Sequence, residues 1–136
     1  MASKTINPKE SKPLYDNFHF SQAVRAGELL VCSGQIGTDK DGKLPSDLDA
    51  EFDNAWQKVG AVLEAAGVGF DDMLEYTTYH VGLQSTIGAF MKSRDRFLKE
   101  PWPAWTAIGI TELAVPGAHV EIRVTARKRK SGTRWR

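Results

Sequence analysis

The sequence contains a single cysteine, Cys32, in 136 residues. That excludes an intrachain disulfide and points to a reducing compartment. No apolar run approaches the ~20 residues of a membrane-spanning helix, and no basic segment followed by an apolar stretch opens the chain. A cytoplasmic location without membrane contact is therefore expected. Metal chemistry also lacks support, because His19, His80 and His119 stand far apart with no second ligand at helical spacing. Gly34-Gln35-Ile36-Gly37 has neither the third glycine nor the Lys-Ser/Thr ending of a phosphate loop, and Cys32-Ser33-Gly34 is no nucleophile elbow. No metal and no cofactor are expected.

What is present is the balance of an ordinary globular domain, with 41% hydrophobic and 26% charged residues. A chain of this length can bury about two-thirds of the surface that its unfolded form exposes, so a core without staples is feasible. The formal net charge of +1 hides an asymmetry. Arg127, Lys128, Arg129, Lys130, Arg134 and Arg136 are all basic, so the remainder is acidic. The composition divides the chain into an N-terminal arm (1–14), one domain (15–128) and a basic tail (129–136) read as a solvated end.

Apolar periodicity then places the elements. Residues 18–24 and 29–36 read as a hairpin about Ala26-Gly27, with 29–36 apolar on both faces. From Asp49 as N-cap, Phe52, Trp56, Val59, Leu63 and Ala66 form one helical stripe that Gly67 stops. Residues 73–83 alternate as a strand, with Leu74, Tyr76, Thr78 and His80 on one side. Ser85 caps a second helix with Ile87, Phe90, Met91 and Phe97 inward, ended by Pro101 and Pro103. Strands follow at 104–111 and 119–127. In the last, Val120, Ile122, Val124 and Ala126 alternate with Glu121, Arg123, Thr125 and Arg127. The order β-β-α-β-α-β-β predicts an α+β fold with two helices on one face of a mixed sheet. Two helices cover one face only, so strands apolar on both faces imply that another subunit covers the second.

Five segments carry a resemblance. Phe20-Ser21-Gln22-Ala23, Ser33-Gly34-Gln35-Ile36, Leu63-Glu64-Ala65-Ala66-Gly67, Pro103-Ala104 and Pro116-Gly117-Ala118-His119-Val120-Glu121-Ile122 follow the order and spacing of the RidA/YjgF family, also called L-PSP. The resemblance implies a chorismate-mutase-like domain assembled as a homotrimer, with small-molecule pockets in the clefts between subunits. It further implies hydrolysis of enamines and imines such as 2-aminoacrylate. In that reading Glu121 is the catalytic carboxyl group, and Phe20, Ser33, Gly34, Met91, Trp105 and Ala107 bind substrate. The family's arginine after Pro-Ala, which holds the substrate carboxylate, is here Trp105, and its usual tyrosine is Phe20. The chain thus resembles the arginine-lacking branch, in which 2-aminoacrylate is not the expected substrate. With no cation at the anchor, a neutral or cationic ligand with a flat apolar part is expected. The alternative is a non-catalytic interaction protein or an RNA-contacting, endoribonuclease-like module. Only Trp135 accompanies the basic tail as a stacking ring, so a nucleic-acid partner is not expected.

Overall fold

The computed structural model describes residues 3–128. The basic tail at 129–136, with Trp135, lies outside the described residues. The strands are β1 (Ser3–Ile6), β2 (Ala23–Ala26), β3 (Leu29–Cys32), β4 (Gln35–Ile36), β5 (Met73–His80), β6 (Ala104–Gly109) and β7 (Val120–Arg127). The helices are α1 (Lys12–Phe18), α2 (Leu48–Ala65) and α3 (Leu83–Arg94). The strands form one mixed sheet in the order β1-β2-β3-β7-β5-β6, with β4 also pairing with β7. Only β5 and β6 run parallel, joined through α3.

The central strand explains why the sheet has a dry side. Val120, Ile122, Val124 and Ala126 are completely or almost completely buried, as the alternation of β7 predicts. Phe52, Trp56, Val59 and Leu63 of α2 and Phe90 of α3 close over them. Phe52 and Trp56 meet the Phe90 ring at centroid distances of 5.5 and 5.9 Å. Burying side chains of this size contributes about 1.5–3 kcal/mol each. On the opposite face the sheet carries Leu29 and Val31, which are 45% and 40% exposed.

Several expectations are corrected. The hairpin's first strand begins only at Ala23, because 12–18 form α1, with Pro13 in its first turn and His19 closing it in the left-handed region (φ 61°). Of the N-terminal segment, the described residues are structured. Ser3–Ile6 pairs antiparallel with β2 as an edge strand, and a boundary at residue 15 falls inside α1. The long strand 29–36 breaks at Ser33-Gly34 into β3 and β4, since the Ser33 N–H turns to Gln22 O (2.8 Å) and its hydroxyl to Ser21 O (2.6 Å). Asp47, and not Asp49, caps α2, accepting from the Ala50 N–H at 3.3 Å.

Likewise Gly82 (φ 74°), and not Ser85, precedes α3, and the Ser85 hydroxyl donates back to Gly82 O. That helix ends at Arg94, before the prolines, and Phe97 packs on Trp56 and Phe70 from beyond it. In β5 an irregular register between Met73 and Glu75 puts Met73 inside and leaves Leu74 39% exposed. Tyr76, Thr78 and His80 keep the buried side.

Candidate functional site

The residues singled out in the sequence gather in two places on one chain. The first lies at the break between β3 and β4. Glu121 sits opposite Ile36 on one side and Tyr79 on the other, so its side chain leaves the sheet on the face away from α2 and α3. There it lies over Gly34. A Cβ at Gly34 would come within 2.4 Å of the Glu121 Cδ and 2.5 Å of its Oε2, so only glycine admits the carboxyl group in this place. The break is pinned from below by Gln35, whose Nε2 donates to the buried Gln22 Oε1 at 2.7 Å. Ser33 is tied to Ser21, next to Phe20, and Phe20 is 40% exposed.

Glu121 is half-buried, and no donor among the described residues hydrogen-bonds its carboxylate. Burial therefore pushes its pKa above the usual carboxylate range. Two residues before Glu121, at His119, the buried Glu51 of α2 holds the strand's entry. Its Oε2 accepts from the His119 N–H at 2.6 Å, and its Oε1 lies 2.8 Å from the His119 Nδ1. Gly37 leaves room for the Glu51 backbone, since a Cβ there would meet Glu51 O at 2.0 Å. This latch fixes the residues that lead into Glu121, and no sequence signal marks it.

The second cluster is on the helix side. Trp105 of β6 pairs with Tyr76 of β5, and their rings stack at 5.7 Å with planes 9° apart. The Trp105 indole N–H donates to Thr78 Oγ1 at 2.9 Å, and Thr78 Oγ1 lies 2.7 Å from His80 Nε2. His80 is fully buried edge-on to Phe90, with its Nδ1 unpartnered, and burial lowers its pKa to about 4. Ala107 follows on the same face of β6, opposite Thr78, and Met91 is half-buried on α3.

In one chain, then, Gly34 and Glu121 meet beside Ser33, with Phe20 on the segment tied to Ser33, while Trp105 and Ala107 share the other face of the sheet and Met91 lies on α3.

The anchor position itself is Trp105, but a cation stands beside it. The Arg94 guanidinium lies 5.1 Å from the centroid of the Trp105 ring, within range of a cation–π contact. Tyr76, Arg94, Trp102, Pro103 and Trp105 line a cavity of about 240 Å³ there. Burial raises the Tyr76 phenol, and Arg94 opposes that shift through a hydrogen bond and its charge.

Cys32 is buried and its thiol is pushed up to about 11, so it offers no thiolate at neutral pH. Among the described residues no group of three or more His, Cys, Asp or Glu could hold a metal ion. No helix among them is long and apolar enough to cross a membrane.

Comparison with known proteins places this geometry. The family model described as Endoribonuclease L-PSP matches residues 11–128. The chain is 36% identical over 123 residues to the RutC family protein YjgH of Escherichia coli K12, covering 90% of this chain and 92% of the relative. A solved structure of protein YjgH superposes with a TM-score of 0.85 at 34% identity, covering 96% of this chain and 99% of that one. A 2-iminobutanoate/2-iminopropanoate deaminase of Dermatophagoides farinae is 30% identical over 107 residues, 76% of this chain and 80% of the relative. With nearly the whole described chain matched in sequence and in fold, the protein belongs to the RidA/YjgF (L-PSP) family and resembles its YjgH member.

Proposed function

We propose that the protein is a small-molecule hydrolase of the imine/enamine type, working in clefts between the subunits of a homotrimer, with Glu121 as its proton-handling group. One observation carries this reading. Glu121 is a half-buried carboxyl group seated over a glycine that only its own backbone can spare, with a raised pKa. Such a group can protonate an imine nitrogen and accept a proton from the attacking water. Water adds to the imine carbon, the proton passes to nitrogen, and the carbinolamine collapses to a carbonyl compound and ammonia.

Phe20, Ser33 and Gly34 border that carboxyl group, and Trp105, Met91 and Ala107 of a neighbouring subunit form the facing wall. The apolar outer face with Leu29 and Val31 exposed supports a covering copy. The relatives named 2-iminobutanoate/2-iminopropanoate deaminase support the reaction class. Trp105 in place of the family arginine argues against the smallest imino acids as the preferred substrates.

Two measurements test the reading together. Light scattering should give a trimer, and Glu121→Gln should abolish ammonia release from 2-iminobutanoate while the fold persists. A stable monomer, or a Glu121→Gln variant as active as its parent, would overturn it.

A further inference from the structure

Arg94 stands at the end of α3 with a side chain that is 19% exposed, although it follows a pattern of solvated helix-end charges. Its neighbour Asp95 takes Nε at 3.0 Å and Nη2 at 2.9 Å, but the Asp95 side chain is 56% exposed. With its acidic partner this exposed, the pair of adjacent residues is weak. What holds the guanidinium in place is the Trp105 ring below it and the Tyr76 phenol beside it. Arginine is suited to this position, because its flat face stacks on an indole while its edge still presents a fork of donors.

The fork opens on the cavity of about 240 Å³ whose other walls are Trp102 and Pro103. Trp102 is 58% exposed, a large aromatic surface left to solvent at the rim of a cationic pocket. The volume falls below that of pockets for drug-sized ligands and suits a body about the size of one ring. Apolar walls with one directional cation describe a receptor for an anion on a flat apolar frame. A single guanidinium matches one carboxylate edge to edge.

We propose that Tyr76, Arg94, Trp102, Pro103 and Trp105 form a carboxylate-binding site in which Arg94 pairs with the carboxylate and the two indoles hold a flat apolar body. The guanidinium comes from α3 and stacks on the indole ring, so it does not stand at position 105 itself. The assignment shares Trp105 with the proposed cleft, yet it is complete within one chain and requires no turnover. Asp95 is the internal competitor that a ligand carboxylate displaces.

The test is calorimetric titration of the full chain with benzoate, benzyl alcohol and benzylamine, which share a ring and differ in charge. Benzoate should bind best and benzylamine worst, and benzoate binding should weaken in 0.5 M salt. Arg94→Gln should weaken benzoate at least tenfold and erase the preference over benzyl alcohol. Asp95→Asn, an exposed change that spares the core, should tighten benzoate at least twofold, and it decides the matter if Arg94→Gln does not fold. Benzoate bound no better than benzyl alcohol, or by a folded Arg94→Gln within twofold of the parent, would overturn the site. So would an Asp95→Asn variant with unchanged benzoate affinity. The hydrolase reading is judged by ammonia release and this site by the benzoate preference and its loss in Arg94→Gln, so failure of one and failure of the other give different results.

Discussion

His80 makes the stability of this fold depend on pH in a direction that can be worked out in advance. Its ring is fully buried, edge-on to Phe90 at 4.9 Å, with Nε2 against Thr78 and Nδ1 unpartnered. No carboxylate hydrogen-bonds it, and desolvation alone brings its pKa from 6.5 to about 4. The unfolded chain therefore binds a proton at His80 that the folded chain refuses between pH 6.5 and 4. The stabilisation is fully present above 6.5 and is lost as pH falls through that window.

The whole shift corresponds to about 3 kcal/mol, and its slope to about 1.4 kcal/mol per pH unit within the window. Comparing the parent with His80→Gln from pH 7.5 to 5 cancels the titrations that the two proteins share, so the difference between their profiles reports His80. Urea unfolding across that interval should lose about 2 kcal/mol more in the parent than in His80→Gln. The variant is expected to start less stable at pH 7.5, but with a flatter profile. Parallel pH profiles for the two proteins would refute the reasoning, because they would mean that His80 titrates alike in both states.

Three further outcomes follow from the packing. Gly34→Ala would drive a methyl group into the Glu121 carboxyl group, and the end of that flexible side chain must swing away; urea unfolding should register a loss of about 1–3 kcal/mol, and an unchanged midpoint would show that the approach is not tight. Glu51→Ala would strand the His119 N–H and empty a buried acceptor, costing about 3 kcal/mol, whereas His119→Ala should cost less because its side chain is 45% exposed; equal losses would contradict the latch. Cys32 should resist a disulfide exchange reagent at pH 8 in the folded protein and react in urea, and rapid reaction without denaturant would contradict its burial and raised pKa.

The sheet's core strand was legible because its alternation has period two over eight residues, and α2 because its stripe of large apolar side chains repeats at helical spacing. β1 was not, since Ser3-Lys4-Thr5-Ile6 has a single large apolar residue and depends on its partner for strand form. Alternation alone puts Leu74 on the buried side, because a bulge resets parity without a marker in sequence.

Glu121 and Gly34 were nameable from motifs, but their contact across β4 and β7 was not. The sequence does not single out Arg94, because a basic residue in the last turn reads as a partner of the helix dipole. One signal could have found it. It lies three residues after the inward-facing Met91, on the same face of α3. The distinction between a solvated arginine and a stacked one depends on Trp105, which arrives on a later strand.

The central claim is the proposal that Glu121 handles protons in a cleft between subunits whose facing wall carries Trp105, where the family resemblance implies an arginine. Its most direct test is the rate of ammonia release from 2-iminobutanoate by the parent, by Trp105→Arg and by Trp105→Arg with Glu121→Gln, each checked for fold and assembly. Losing a charge-assisted pair to the substrate carboxylate costs about 1.5–3 kcal/mol, which is at least tenfold in rate. The account predicts a slow parent, a gain of at least tenfold in Trp105→Arg, and loss of that gain when Glu121 is replaced. A folded, assembled Trp105→Arg variant no faster than the parent, or one that keeps its gain without Glu121, would contradict it.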